Sequence, residues 1–259
     1  MAAKMIVCDL DGTLLRTDKT VSPYTLDILH RCRQTGIKFA IATARSQFGA
    51  RLFTDFMVPD VLIYDGGARA KVDEKVIYNC QMDSATTSRL AQSILAHDSQ
   101  TYLAAEIDRG YFYTGGPPTA YAEELHQAGH NVVYVDFAKE LDHSVHKLSA
   151  FMCGNAAAEI VRNFPDVGII TYHGENIVRY AHKNATKWQA IRACAAYFGI
   201  TTTDITAFGD DYNDIEMLAN CGIGVAMANA IPQAKATANH ICDSNDIDGV
   251  AKWIKENIF

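Results

Sequence analysis

The sequence predicts an α/β fold, a parallel sheet built from both ends of the chain with an α+β domain inserted between them. Three observations carry that prediction. Continuous apolar runs of strand length alternate with amphipathic helical stretches over residues 1–81 and again over 184–259, the pattern of strands buried on both faces by crossover helices. Residues 82–183 read differently, as helices and strand pairs. Polar clusters follow directly on apolar runs of the outer segments, and ligands bind outside the carboxyl ends of the strands in an open α/β sheet.

The first strand is M-I-V-C, Met5 to Cys8. It runs into Asp9-Leu10-Asp11-Gly12-Thr13, and alternation along an extended segment predicts Asp9 and Asp11 side by side at its end. Ser22 as N-cap, Pro23 at the first helical position and Gly36 beyond the end bracket a helix, and the apolar run 37–42 follows as a strand. Strand, helix, strand with buried strands predicts parallel pairing. A second helix is expected at about 46–56, then the strand V-L-I-Y, and Asp65-Gly66-Gly67 as a tight turn into a hairpin ending near Cys80.

In the insert a helix after Met82 is followed by T-Y-L-A-A-E-I and R-G-Y-F-Y-T as strands, a helix after Pro118, and N-V-V-Y-V and H-K-L-S-A-F-M-C as strands. A helix from near Asn155 comes next, then V-G-I-I-T-Y and I-V-R-Y-A-H as a hairpin about the turn H-G-E-N, ending near His182. The strand and helix alternation then resumes with a helix over 186–198, the strand D-I-T-A-F-G, a helix after Asp211, the strand G-I-G-V-A-M, a short helix after Pro232, the strand H-I-C and a helix ending near Asn257.

Composition narrows the function classes. The 259 residues are 49% hydrophobic and 20% charged, with a formal net charge of −7 and no block of Lys and Arg. A phosphate-backbone footprint for nucleic acid is therefore not expected, and a small charged metabolite fits better. No apolar run approaches the ~18 residues of a membrane helix, and the N-terminus turns acidic after four apolar residues, so no membrane partner and a cytoplasmic location are expected. Seven cysteines without a C-x-x-C pair read as reduced packing residues.

Four groups carry the chemistry: Asp9 and Asp11; Thr43-Ala44-Arg45; Lys187; and Gly209-Asp210-Asp211-Tyr212-Asn213-Asp214. Three of them follow predicted strands and would converge on one crevice, which Lys187 could reach from the first turn of its helix. Acids, a hydroxyl and an ammonium together suggest a metal ion and a phosphate. A phosphate dianion ~4 Å from a carboxylate meets repulsion of roughly 4 kcal/mol per charge pair at an effective dielectric of ~20. Attack by an aspartate therefore needs positive charge in place. Mg²⁺, which takes one or two carboxylates plus water and phosphate oxygens, suits Asp9 and Asp210.

D-L-D-G-T, the Thr43 of I-A-T-A-R, Lys187 and G-D-D-Y-N-D-I-E-M-L resemble, in order, the four motifs of the haloacid dehalogenase (HAD) superfamily of phosphatases. The long insert between the second and third motifs resembles the Cof-type branch, whose α+β cap accompanies a Rossmann-like core. The resemblance implies that Asp9 is the nucleophile, forming an aspartyl-phosphate, and Asp11 the general acid and base. It implies that Asp9, the Asp11 backbone carbonyl and Asp210 hold Mg²⁺, with Asp214 behind them through water. Thr43, Lys187, Asn213 and backbone groups near Leu10 and Ala44 would hold the phosphoryl group. The sequence departs from the branch at Gly66-Gly67-Ala68 in place of Asn-Gly-Ala, at Trp188 after the lysine and at Arg179, where the cap's last strand often carries Glu.

The reading that results is a Mg²⁺-dependent phosphatase acting on a small phosphorylated metabolite, a sugar phosphate or similar, with Arg179 helping to select the substrate. A phosphomutase resembling the phosphomannomutases is the alternative enzyme, and a phospho-aspartate signalling module the non-enzymatic one. Plainer readings stand beside these. Thr43 could cap the helix that T-A-R-S opens, Lys187 could be an exposed helix lysine, His143 and His146 read as surface histidines, and Tyr111, Tyr113, Tyr172 and Tyr180 as packing.

Overall fold

The computed structural model of the chain describes residues 3–107, 110–114, 123, 126, 127, 131–171 and 176–259, with the backbone alone for 110–114. The expected helix after Pro118, apart from residues 123, 126 and 127, and the H-G-E-N turn, apart from Asn176, lie outside the described residues, as do the side chains of Tyr111, Tyr113 and Tyr172. The chain divides into two compact units, Met1–Asn79 with Thr186–Phe259, and Cys80–Ala185.

The first unit holds β1 (Met5–Cys8), β2 (Lys38–Ala42), β3 (Val61–Tyr64), β4 (Arg69–Val72), β5 (Lys75–Asn79), β12 (Ile205–Gly209), β13 (Ile223–Ala226) and β14 (His240–Ile241). They form one sheet in the order β14-β13-β12-β1-β2-β3-β4-β5. Pairing is parallel from β14 to β3, and the hairpin of β4 and β5 adds to β3 antiparallel.

Strand alternation divides the core. Ile6 and Cys8 pack with Ile28, Leu29 and Cys32 of α1 (Pro23–Gln34) and with Val250 and Ile254 of α8 (Gly249–Asn257). Met5 and Val7 point the other way, onto Ala190, Ile191 and Cys194 of α5 (Lys187–Phe198) and Met217 of α6 (Ile215–Asn220). All four residues of β1 are fully buried, and each such apolar side chain contributes about 1.5–3 kcal/mol to the fold. Helix ends follow the sequence. Ser22 caps α1, its hydroxyl accepting the Thr25 N–H at 3.0 Å, and Pro23 opens the helix. The remaining helices of this unit are α2 (Gln47–Met57) and α7 (Pro232–Thr237).

The second unit holds β6 (Leu103–Ile107), β7 (Gly110–Thr114), β8 (Val132–Tyr134), β9 (Lys147–Phe151), β10 (Val167–Thr171) and β11 (Ile177–His182), in the order β10-β11-β9-β6-β7-β8. All pairs are antiparallel except β7 with β8. Leu90, Ala91 and Ile94 of α3 (Ser84–His97) and Ala157 of α4 (Gly154–Val161) share a core with Leu103, Ala105, Leu148, Ala150, Val178 and Tyr180 of the sheet. Tyr180 is thus a packing residue, as expected. His146 is not the surface histidine expected: it is fully buried, and its N–H joins the sheet by donating to the Glu106 carbonyl at 2.8 Å, whereas His143 is exposed. The seven cysteines are free; five are buried, Cys80 is half-buried and Cys153 exposed.

Candidate active site

Parallel register brings the ends of three strands level. Cys8 lies opposite both Ile41 and Phe208, so the residues after β1, β2 and β12 emerge along one edge of the sheet. The Asp9 N–H still donates to the Phe208 carbonyl at 2.9 Å, and the Thr43 N–H to the Ile63 carbonyl at 2.9 Å, which ties both residues to the sheet.

Lys187 arrives from a helix start. Thr186 caps α5 by accepting the Gln189 N–H at 3.2 Å. The turn of Asp65, Gly66 and Gly67 fixes where that start sits, since a Cβ on Gly67 would fall 2.1 Å from the Thr186 carbonyl carbon and 2.2 Å from the Lys187 nitrogen. All three turn residues have positive φ, at 53°, 71° and 100°. The same turn donates from Asp65 N–H to the Arg45 carbonyl at 2.8 Å and from Gly66 N–H to the Thr43 carbonyl at 3.1 Å. One backbone turn therefore joins the Thr43 loop to the lysine helix. The Asp65 carboxylate is itself gripped by Arg69, whose Nε donates at 2.7 Å.

The lysine is 1% exposed and its ammonium lies 2.5 Å from Asp9 Oδ1 and 2.6 Å from Asp214 Oδ1. The plain reading of Lys187 as an exposed helix residue is overturned. Burial disfavours its charge, but the Asp214 and Asp9 carboxylates outweigh that and raise its pKa. Asp214, fully buried, uses its other oxygen to accept the N–H groups of Asp210 at 2.9 Å and Asp211 at 3.2 Å. Asp9 is 6% exposed. Burial raises its pKa well above the usual carboxylate range, with Lys187 opposing and the Asp214 and Asp210 charges adding. Asp210 accepts the Thr13 hydroxyl at 3.1 Å, and burial followed by the Asp214 charge pushes its pKa up to about 7.

β1 ends at Cys8, and the carboxylates of Asp9 and Asp11 take separate partners. Arg45 holds Asp11 bidentately, Nε to Oδ2 at 2.6 Å and Nη2 to Oδ1 at 2.7 Å, and Lys19 adds 2.8 Å to Oδ1. Burial alone raises its pKa, but these hydrogen bonds outweigh burial and the net shift is downward. The sequence singles out Arg45 beside Thr43 but not its pairing with Asp11, and it does not single out Lys19. Arg45 stood in the quoted I-A-T-A-R, while Lys19, at positive φ in a turn, gave no signal.

Thr43 is buried, and its hydroxyl accepts the Arg45 N–H at 3.1 Å. It does not cap the helix: Ser46 does, accepting the Gly49 N–H at 3.2 Å. Leu10 is fully buried, Ala44 half-buried, and Asn213 half-buried in the 3-10 turn Tyr212–Asp214. Arg179 belongs to the other unit. It lies on β11 opposite Ser149 and Ile170, and alternates with Val178 and Tyr180 of the core face, so it sits on the face of that sheet away from α3 and α4.

The model of the haloacid dehalogenase-like hydrolases matches residues 6–254. The chain belongs to that family. Within this family of enzymes it is of the Cof-type branch, and it is 30% identical over 271 residues to a putative phosphatase of Haemophilus influenzae, covering 99% of this chain and 98% of the relative. The 5-amino-6-(5-phospho-D-ribitylamino)uracil phosphatase YitU of Bacillus subtilis is 27% identical, with 97% and 96% covered. Among solved structures, a HAD-superfamily phosphatase of Bacteroides thetaiotaomicron is 26% identical with a TM-score of 0.81 over 98% of this chain and 95% of that one. A HAD subclass IIB sugar phosphatase shares the fold, with a TM-score of 0.84 at 24% identity and 98% of each chain covered.

The residues of this HAD-family chain fit a divalent cation. Carboxylate oxygens of Asp9, Asp210 and Asp214 lie within 4.8 Å of one another, and among the described residues the ammonium bonded into this group is that of Lys187. Three carboxylates share that ammonium, and burial, with the neighbouring carboxylate charges adding, raises the pKa values of Asp9 and Asp210. Asp214 is committed to Lys187 and two backbone amides, leaving Asp9 and Asp210 as the oxygen donors to a hard cation.

Proposed function

We propose that the protein is a cytoplasmic, Mg²⁺-dependent phosphomonoesterase that hydrolyses a small phosphorylated metabolite through a phosphoryl-enzyme on Asp9. The observation that carries this reading is Asp9 itself, buried at the strand end with one oxygen on Lys187 and two further carboxylates beside it. A carboxylate so placed is preorganised to attack phosphorus once its charge is balanced. Asp9, Asp210 and the Asp11 carbonyl, with Asp214 behind, would hold magnesium, which when bound would supply that balance and Lewis-acid stabilisation of the phosphoryl oxygens.

In the first half-reaction an Asp9 oxygen bonds to phosphorus as the P–O ester bond breaks, and Asp11 gives its proton to the departing alkoxide. In the second, water attacks the same phosphorus, Asp11 takes the water proton, and Asp9 and inorganic phosphate are released. Arg45 and Lys19 favour ionised Asp11, which suits the second step. For the first, the substrate's own dianion beside Asp11 opposes those cations and raises its pKa. Lys187, Thr43, Asn213 and the backbone at Leu10 and Ala44 hold the transferred group. The names of relatives, a sugar phosphatase and a phosphatase of a ribityl phosphate, support a polyol or sugar phosphate as substrate class.

The test is phosphate release from a panel of phosphorylated metabolites with MgCl₂, beside Asp9→Asn. Wild-type release that the amide abolishes, with a mass increment of one phosphoryl group on Asp9 after rapid quench, is the expected result. Near wild-type release from Asp9→Asn rules out the phosphoryl-enzyme. Transfer to a second sugar without free phosphate rules for a mutase.

A further inference from the structure

We propose that Asn229 is a positioning residue, which fixes the loop carrying Asp11 against the strand end carrying Asp210. The proposal rests on the reading of Asp9 and its neighbours given above.

The loop after β13 is fastened to the end of β12 at two points. The Met227 N–H donates to the Gly209 carbonyl at 3.1 Å and the Ile231 N–H to the Asp210 carbonyl at 2.9 Å. Asn229 projects from the middle of this fastened span and reaches the loop after β1, its Nδ2 donating to the Gly12 carbonyl at 2.7 Å. Its Oδ1 is held in turn by the Asn245 N–H at 3.1 Å, while Asn245 Nδ2 donates to the Leu15 carbonyl at 2.8 Å. Two asparagines thus hold the nucleophile loop on either side of Thr13.

The tolerance at Gly12 is small. It sits at φ 76°, and a Cβ there would fall 2.3 Å from Asp210 Oδ2. The neighbouring Thr13 hydroxyl bonds the other oxygen of the same carboxylate. Asp11 immediately precedes this contact and Asp210 is part of it. The bond from Asn229 therefore sets the gap across which both acid groups and the cation must meet. Asn229 is exposed and touches no residue of the apolar core through these bonds, so its removal leaves the fold intact while freeing Gly12.

The experiment compares wild type with Asn229→Ala and Asn229→Asp; the aspartate keeps the acceptor for Asn245 but has no donor for Gly12. A misplacement on the order of 1 Å costs up to about 100-fold in rate. Both variants are expected to lose about tenfold or more in kcat on every ester, p-nitrophenyl phosphate included, with KM within about twofold. Their unfolding midpoints stay within about 2 °C of wild type. Asn229→Ala is also expected to need several-fold more MgCl₂ for half-maximal thermal stabilisation. Unchanged kcat, a loss that tracks unfolding, or a raised KM at constant kcat would each overturn the proposal, the last by making Asn229 a substrate contact. If wild type releases no phosphate from any ester, the phosphatase reading fails and the MgCl₂ titration alone decides Asn229, an unchanged half-point overturning it.

Discussion

Replacing Lys187 with Met leaves Asp9 and Asp214 facing each other in a buried site without the ammonium that now lies 2.5 Å and 2.6 Å from them. Removing one partner of a buried ion pair costs about 3–5 kcal/mol. At about 2–4 °C per kcal/mol for a unit of this size, the unfolding midpoint should fall by about 6–20 °C. The cause can be isolated. Carboxylate oxygens within 4.8 Å repel by at least roughly 3 kcal/mol at an effective dielectric of ~20. Adding Asp214→Asn to Lys187→Met should therefore restore roughly 2 kcal/mol, whereas the same change in wild type, where it weakens the lysine bond, should destabilise. The assay is denaturant unfolding of the four proteins at pH 8 in EDTA, read as a double-mutant cycle. If Asp214→Asn destabilises equally in both backgrounds, the repulsion has been overstated and Lys187 is not what balances these acids.

Three further outcomes are expected. Gly67→Ala should cost about 2–5 kcal/mol, from about 1–2 for the left-handed backbone and about 1–3 for overpacking against Thr186 and Lys187, and should lower kcat with it. Gly36→Ala is the control, since Gly36 has φ 87° but nothing within 4 Å of the added Cβ; equal losses in denaturant midpoints would count against the close approach. For Asp210, with a folded pKa of about 7 above its unfolded value of about 3.9, the metal-free protein binds the extra proton when folded, so this group's contribution to stability falls as pH rises from about 4 to 7. A cation needs the ionised form, so stabilisation by MgCl₂ should grow across that window, and thermal scans showing a flat or shrinking increment would contradict it. Arg179→Ala should raise KM for the best substrate with little effect on p-nitrophenyl phosphate, whose leaving group carries no second anion; equal effects on both would remove Arg179 from substrate selection.

What the sequence disclosed was local. Apolar runs such as M-I-V-C and V-L-I-Y became strands at the expected residues because burial on both faces leaves no polar position to blur them. Ser22 and Thr186 announced helix starts through hydroxyls that satisfy nearby amides. The acids after β1 and β12 were legible for the same reason: carboxylates following an apolar strand have few structural uses. Nonlocal pairing was not legible. Arg45 on Asp11, Asn229 on Gly12 and the Gly67 backbone against Lys187 join residues with no shared periodicity. His146 escaped because a polar residue beside a strand looks exposed until its neighbour across the sheet is known.

The pairing of β1 with β12 sets an order of events on the ribosome. Met5 lies beside Lys38 on one side and Ile205 on the other. Synthesis at about 5–20 residues per second delivers the first partner within seconds but the second only after roughly 10–40 s. Through that interval one edge of Met5 to Cys8 has no strand to meet, and it is the kind of short apolar edge that recruits other chains. A nascent chain arrested near Ala185 should accordingly be captured by chaperones or aggregate. The completed chain, in which β12, β13 and the helices after them cover that edge and both faces of the strand, should not.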